Sequence, residues 1–227
     1  MTWVVVPAAG RGTRLGGDTP KQYLTLLGQP MIERTLRTVL SHPQISGVVV
    51  AIAHDDTYWP GWREFEAKPV VTCHGGGERS ESVLSGLLAL PATVNDDDWV
   101  LVHDAARPCL SALDLSRLLA VAQLDPVGAI LAAPVTDTLK RTDADSHIIG
   151  TEPRNTLWRA FTPQCFRRGS LTRALESALR QGITVTDEAQ AMERLGLKPR
   201  LVPGSEDNIK VTSAFDLKLA EFILSRS

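Results

Sequence analysis

The chain has 227 residues, 43% of them apolar, and a formal net charge of −2. That length supports one substantial core and leaves little for a second domain, and the near-neutral balance argues against a general nucleic-acid binder while leaving room for a local basic pocket. No apolar run approaches the ~20 residues of a membrane span. Met1-Thr2-Trp3 runs straight into a strand-like segment without a basic stretch or a small-residue cleavage site, so no secretory leader is expected. Cys73, Cys109 and Cys165 are far apart, odd in number and free of any C-x-x-C spacing. They read as reduced thiols of a cytoplasmic protein.

The first element in the chain is the most informative. An apolar, β-branched run over 3–7 predicts a buried strand. It ends in Ala8-Ala9-Gly10-Arg11-Gly12-Thr13-Arg14-Leu15-Gly16, with Pro20-Lys21-Gln22-Tyr23 behind it. Small residues let backbone N–H groups approach a ligand, and Arg11, Arg14 and Lys21 make that ligand an anion. A strand opening into such a loop is a phosphate cradle. It is neither of the two common ones. Gly12 and Gly17 have the first spacing of a Walker loop, but Asp18 stands where its lysine belongs. A dinucleotide fingerprint needs a glycine where Leu15 stands, and the acid it wants further on has only Glu33, inside a predicted helix, as a candidate.

Beyond the loop, Met31, Ile32, Thr35, Leu36, Val39 and Leu40 share one face at helical spacing. Strands follow at 47–53, 69–73, 99–103 and 128–134, with Val83, Leu84, Leu87 and Leu88 and then Leu115, Leu118, Leu119 and Ala122 marking helices between them. Tyr58, Trp59 and Trp62 read as packing of a short irregular element. Asn95-Asp96-Asp97-Asp98 reads as a solvated turn and lacks calcium-loop spacing. Residues 135–155 are polar and irregular, a surface loop or a hairpin arm. Lys210 follows an apparent strand. Helices return at 168–181 and 187–195, and a last one starts at Ser213, whose spacing to Asp216 resembles a capping box. Strands alternating with helices imply βαβ units, hence an α/β fold with a mostly parallel twisted sheet and helices on both faces. Ligands of such sheets sit beyond the carboxyl ends of the strands, where the phosphate loop, the Gly75–Gly77 turn and His103-Asp104 all fall. The organisation expected is one domain over 1–227 with a protruding segment at 135–155.

Five ordered segments carry a family resemblance: Pro7-Ala8-Ala9-Gly10-x-Gly12-x-Arg14 with Pro20-Lys21-Gln22-Tyr23, Gly75-Gly76-Gly77-Glu78-Arg79-Ser80-Glu81-Ser82-Val83, His103-Asp104-Ala105-Ala106-Arg107-Pro108, Thr162-Pro163-Gln164, and Asp207-Asn208-Ile209-Lys210-Val211-Thr212. In order and spacing, over essentially the whole chain, they resemble the 2-C-methyl-D-erythritol 4-phosphate cytidylyltransferases. The resemblance implies a Rossmann-like nucleotidyltransferase fold whose arm serves dimerisation. It implies transfer of CMP from CTP to a sugar-alcohol phosphate, with Mg²⁺ bound mainly through the CTP phosphates and no metal ligand assigned on the chain.

The chemistry needs no general base, because a phosphate monoester with a second pKa of about 6 is largely a dianion at neutral pH. Its obstacle is an anion approaching a polyanion, which fixed cations relieve. The resemblance assigns Arg14 and Lys21 to transition-state stabilisation. It assigns Lys210, and Arg154 supplied by the partner subunit of a homodimer, to the substrate phosphate. Ala8, Ala9, Gly10, Gly12, Gly76 and Ser82 are candidate nucleotide contacts. Asp104 is a candidate acceptor for substrate hydroxyls and Arg107 for phosphate, with Thr138, Thr162 and Thr186 taken from the family pattern. Gly77 stands where relatives often carry an acid. The rivals are a ribitol-5-phosphate cytidylyltransferase, in which Val tends to replace Ala106, and a non-catalytic nucleotide-binding subunit. Joint retention of Arg14, Lys21, Arg154 and Lys210 speaks against the second. A dehydrogenase on a dinucleotide fold is more distant still.

Overall fold

Successive side chains of a strand face opposite sides, and the first strand uses both. In the computed structural model, which describes residues 1–10, 12 and 19–226, β1 (Thr2–Ala8) sends Val4 and Val6 into one apolar cluster and Trp3 and Val5 into another. A strand covered on both faces reads as a continuous apolar run. A small hairpin, β2 (Thr25–Leu26) with β3 (Gln29–Pro30), leads into α1 (Met31–Leu40) and β4 (Gly47–Ile52). Then come β5 (Glu64–Phe65), β6 (Lys68–His74), α2 (Arg79–Leu88), β7 (Trp99–Val102), α3 (Ala112–Leu124) and β8 (Gly128–Pro134).

The second half departs from that alternation. Residues 135–155 hold an antiparallel hairpin, β9 (Leu139–Thr142) and β10 (Ile148–Glu152), braced by the Arg141–Glu152 ion pair. β11 (Trp158–Arg167), α4 (Arg168–Arg180), α5 (Glu188–Arg194), β12 (Arg200–Pro203) and α6 (Ala214–Leu224) complete the chain.

The main sheet has the order β12-β8-β11-β7-β1-β4-β6-β5. β7, β1, β4 and β6 are mutually parallel, as are β12 and β8; β11 runs antiparallel between β7 and β8, and β5 antiparallel to β6. α1 and α3 bury Ile32, Leu36, Leu115, Leu118 and their neighbours against one face, while α2, α4 and α5 bury Val83, Leu87, Leu171, Leu175 and Met192 against the other. α6 seats Ala220 and Ile223 on a third cluster with Leu26, Met31, Ala106, Cys109 and Val211. Its N-terminus is the expected capping box, Asp216 N–H donating to Ser213 Oγ at 3.2 Å and Ser213 N–H to Asp216 Oδ2 at 2.9 Å.

Two features differ from the expectation. β11 sits in mid-sheet although it contains Pro163. A register shift between Ala160 and Gln164 accommodates the proline, because a bulge needs no ladder N–H there. Lys210 does not follow a strand. Residues 204–213 are turn and loop, and Val211 N–H donates to Ala106 O at 2.8 Å, which fixes Lys210.

Elsewhere, Trp59, Trp62 and Phe65 pack against the core, and Tyr58 stacks on Tyr23, whose hydroxyl donates to Asp56. In the Asn95–Asp98 turn, Asp98 pairs with the Met1 ammonium at 2.8 Å. All three cysteines are free, and burial pushes each thiol up, Cys109 to about 12.

Gly128 opens β8 at a φ of +123°, and a Cβ there would lie 2.3 Å from Cys165 O of β11. Gly128→Ala is therefore expected to remove roughly 2–4 kcal/mol of stability. The measurement is the urea midpoint, which should fall with an unchanged m value; an unaltered midpoint would contradict the close approach.

Candidate functional site

Two cavities open at the carboxyl edge of the parallel strands. The first, about 190 Å³, is lined by the end of β1 (Pro7, Ala8) with Ala9 and Gly10, by Gly76 and Gly77 after β6, by Arg79 and Ser82 of α2, by Ala105 and Ala106 after β7, and by Lys21 and Lys210. The second, about 220 Å³, is lined by Arg107, Phe161, Thr162, Gln164, Thr186 and Asp187. Arg79, Asp104 and Lys210 line both. These three side chains form the wall between the cavities.

Local structure explains each placement in the first cavity. Gln22 is buried and its Nε2 donates to Ala8 O at 2.7 Å, which ties the exit of the phosphate loop to the end of β1. Lys21 starts the 3-10 turn over Lys21–Tyr23, and its stem lies against Gly12, which has a φ of +63° and leaves no room for a Cβ. Ser82 Oγ accepts from Gly76 N–H at 3.1 Å and so binds the glycine turn to α2. Arg14 lies outside the described residues, as does Arg11.

The wall is an ion cluster. Asp104 is 6% exposed. Its Oδ1 accepts from Arg79 Nε at 2.9 Å, its Oδ2 lies 2.8 Å from Lys210 Nζ, and Arg107 Nε stands at 3.7 Å. Arg79 also grips the fully buried Glu188 with both terminal nitrogens, at 2.6 and 3.1 Å. Burial works to raise the Asp104 carboxyl, but Arg79, Lys210 and Arg107 outweigh it and hold the group well below the usual carboxylate range. Burial lowers the Arg107 guanidinium against the pull of Asp104. Burial likewise pushes the Glu188 carboxyl up, against the pull of Arg79.

Behind the cluster runs a chain of neutral hydrogen bonds. Asp104 N–H donates to Thr162 Oγ1 at 3.0 Å. His103 lies with Nε2 3.1 Å from Arg107 O and Nδ1 3.1 Å from Thr162 Oγ1. A carbonyl only accepts, so Nε2 carries the ring proton and Nδ1 accepts the Thr162 hydroxyl proton. Thr162 thus retains lone-pair capacity toward the second cavity but no free proton. Arg107 donates to Asn208 O at 2.6 Å, and Asn208 Nδ2 donates to Thr162 O at 2.8 Å.

The structure brings Ala8, Ala9, Gly10, Lys21, Gly76, Ser82, Asp104, Arg107, Thr162, Thr186 and Lys210 to these cavities. It does not bring Arg154 or Thr138 to them within one chain. Both are exposed at the base of the arm, Arg154 donating to Thr136 O. Sequence reasoning missed Arg79, Glu188, Gln22, Gln164 and Asn208. Four of them stand inside the quoted motifs, and Glu188 follows the cap residue Asp187.

No group of three histidine, cysteine or carboxylate side chains that could hold a metal ion occurs among the described residues. The carboxylates lining the first cavity are Glu78 and Asp104, and Asp104 already faces three cations. That donor set suits Mg²⁺ arriving on a nucleotide, since this ion keeps phosphate and water ligands readily.

Burial pushes His103 down to about 4 from its usual 6.5, against the opposing charge of Asp104. The folded protein therefore resists protonation that the unfolded chain accepts. Its stability from this group is fully present above pH 6.5 and is lost as pH falls toward 4, by at most about 3 kcal/mol. Glu188, shifted upward, works against that slope. Urea midpoints from pH 7 to 5 are expected to fall less steeply in His103→Gln than in the parent; identical slopes would refute the assignment.

Comparison with known proteins agrees over nearly the whole length. Residues 2–226 match the family model described as IspD: 2-C-methyl-D-erythritol 4-phosphate cytidylyltransferase. A protein of that name from Stenotrophomonas maltophilia is 62% identical, covering 99% of this chain and 97% of the relative. One from Xanthomonas oryzae pv. oryzae is 60% identical over 99% of this chain and 82% of its own length. Among solved structures, the Francisella tularensis protein of that name superposes with a TM-score of 0.84 at 33% identity, covering 98% of this chain and 99% of that one. The Thermus thermophilus protein gives 0.78 at 32%, covering 99% and 98%.

Proposed function

This chain belongs to the 2-C-methyl-D-erythritol 4-phosphate cytidylyltransferase family, and we propose how its two cavities divide the reaction. It transfers the CMP moiety of CTP to 2-C-methyl-D-erythritol 4-phosphate, giving 4-diphosphocytidyl-2-C-methyl-D-erythritol and pyrophosphate in the non-mevalonate route to isoprenoid precursors. The names of the relatives at 60% identity or more favour this substrate over ribitol 5-phosphate.

The observation that carries the division is the shared wall of Arg79, Asp104 and Lys210. CTP takes the first cavity, its base and ribose along Ala8, Ala9, Gly10, Gly76 and Ser82, and its triphosphate toward Gly12, Lys21 and the loop that carries Arg14. The sugar phosphate takes the second, its hydroxyls toward Asp104, Thr162 and Thr186 and its phosphate toward Arg107 and Lys210. A phosphate oxygen then attacks the α-phosphorus, a new P–O bond forms, and the bond to the β-phosphate breaks as pyrophosphate leaves. Lys21 and Arg14 offset the charge that gathers on the leaving group. Mg²⁺ arriving with CTP would have Glu78 and Asp104 as the lining carboxylates nearest to it and would supply charge neutralisation. No side chain moves a proton in this scheme.

We also propose a homodimer in which each arm reaches the other subunit, supplying Arg154 and Thr138 in trans. Two observations support it: both residues stand away from the cavities of their own chain, and the arm leaves Ile148 and Ile149 more than 60% exposed. We place the enzyme in the cytoplasm, where its free thiols persist. No described helix is long and apolar enough to cross a membrane.

Pyrophosphate release with CTP and Mg²⁺ is expected with methylerythritol phosphate and not with ribitol 5-phosphate; release with neither would refute the reading. In the same assay Lys21→Ala should lower turnover by about 10²-fold or more while changing CTP affinity far less. A single-turnover experiment with an unchanged chemical step would remove Lys21 from its role.

Mixing Arg154→Ala with Lys21→Ala subunits should restore part of the activity, because one site of each mixed dimer keeps both wild-type residues. No recovery in confirmed mixed dimers would exclude a shared site.

A further inference from the structure

We propose that Glu188 is a positioning residue for the transfer, acting through Arg79 to hold the Asp104 carboxylate in the wall between the two cavities. The proposal rests on the reading of Asp104 as the acceptor of substrate hydroxyls.

Glu188 lines neither cavity, is 0% exposed, and takes no part in the chemistry above. It opens α5, and that helix start is itself pinned to β11. Gln164 Nε2 donates to Asp187 Oδ2 at 2.9 Å, and Gln164 Oε1 accepts from Ala189 N–H at 2.8 Å. Arg79 opens α2. The two-point contact of Glu188 with the Arg79 fork fixes the plane of the guanidinium, and with the plane fixed, the third donor, Nε, can only face Asp104 Oδ1.

The three cations around Asp104 are therefore unequal. Arg107 is anchored to Asn208 O, and Arg79 is anchored to Glu188. Lys210 is 39% exposed and is paired with Asp104. When phosphate enters, Lys210 is the cation able to exchange Asp104 for it, while Arg79 stays and keeps the carboxylate aimed. A buried ion pair is weak evidence for stability, since apolar packing often serves as well. What an apolar pair lacks is the direction it gives Asp104. Removing the Glu188 charge also frees the Arg79 fork to follow incoming phosphate and carry Asp104 off its line.

The test is a double-mutant cycle on kcat/KM for the sugar phosphate. Glu188→Gln keeps the shape and removes the charge. It should lose about tenfold in the parent and less than about twofold in an Asp104→Asn background, because residues acting through one another are non-additive. The KM for CTP should move less than the constants for the sugar phosphate. Arg79→Lys keeps the charge without the fork and should repeat the pattern, which keeps the test open if Glu188→Gln fails to fold.

Equal losses in both backgrounds, or parental activity in Glu188→Gln, would overturn the proposal. So would failure of both Glu188→Gln and Arg79→Lys to yield folded protein, which would assign the pair to stability alone. A harmless Asp104→Asn would instead sink the reading of Asp104 on which the proposal stands.

Discussion

A buried carboxylate held ionised by three cations organises this protein. Asp104 sits at the end of a central strand with almost no solvent, and a lone carboxylate there would take up a proton. Arg79, Lys210 and Arg107 prevent that. With Glu188 included, and with Asp187 lining the second cavity beside it, three carboxylates stand among Arg79, Arg107 and Lys210. The cations are therefore held in place by fixed partners before either substrate arrives.

The fold delivers these groups from distant parts of the chain. Arg79 starts a helix after β6, Asp104 and Arg107 follow β7, Glu188 starts α5, and Lys210 lies on the loop before α6. All arrive at one sheet edge because β1, β4, β6 and β7 are parallel and end together. β11 is the exception that completes the site. Running against its neighbours, it brings its bulged segment to the edge where they finish, and so places Thr162 beneath Asp104. The neutral His103–Thr162 chain supports the backbone there without adding charge to the cluster.

The two cavities share a wall and differ in character. Small residues and glycines line the first, which suits close backbone approach to a flat base and a polyphosphate. Threonines, a glutamine and buried cations line the second, which suits a short polyol with a phosphate at one end. The wall of Arg79, Asp104 and Lys210 is polar throughout, so charged groups face both cavities. Arg154 and Thr138 lie outside this arrangement in the single chain, exposed at the base of the arm.

Much of this was legible in the sequence. The strand at β1 and the helices α1 to α3 follow from periodicity, because local burial patterns are written in adjacent side chains. The glycine- and cation-rich loop named the ligand chemistry, and the ordered motifs named most residues that line the cavities. β11 was hidden because a proline inside a strand argues against a strand until a bulge removes the need for its N–H. Lys210 was tied to a strand that does not exist, since Ile209 and Val211 look strand-like but serve packing and one bond to Ala106. Arg79 and Glu188 give no local sign of their role, because a charged residue near a helix start is ordinarily solvated. The sequence alone determined the alternation, the anionic ligand and the family; tertiary structure decided which charges meet. An ion pair between residues 109 positions apart leaves no local periodic trace, so only the closed sheet could reveal it.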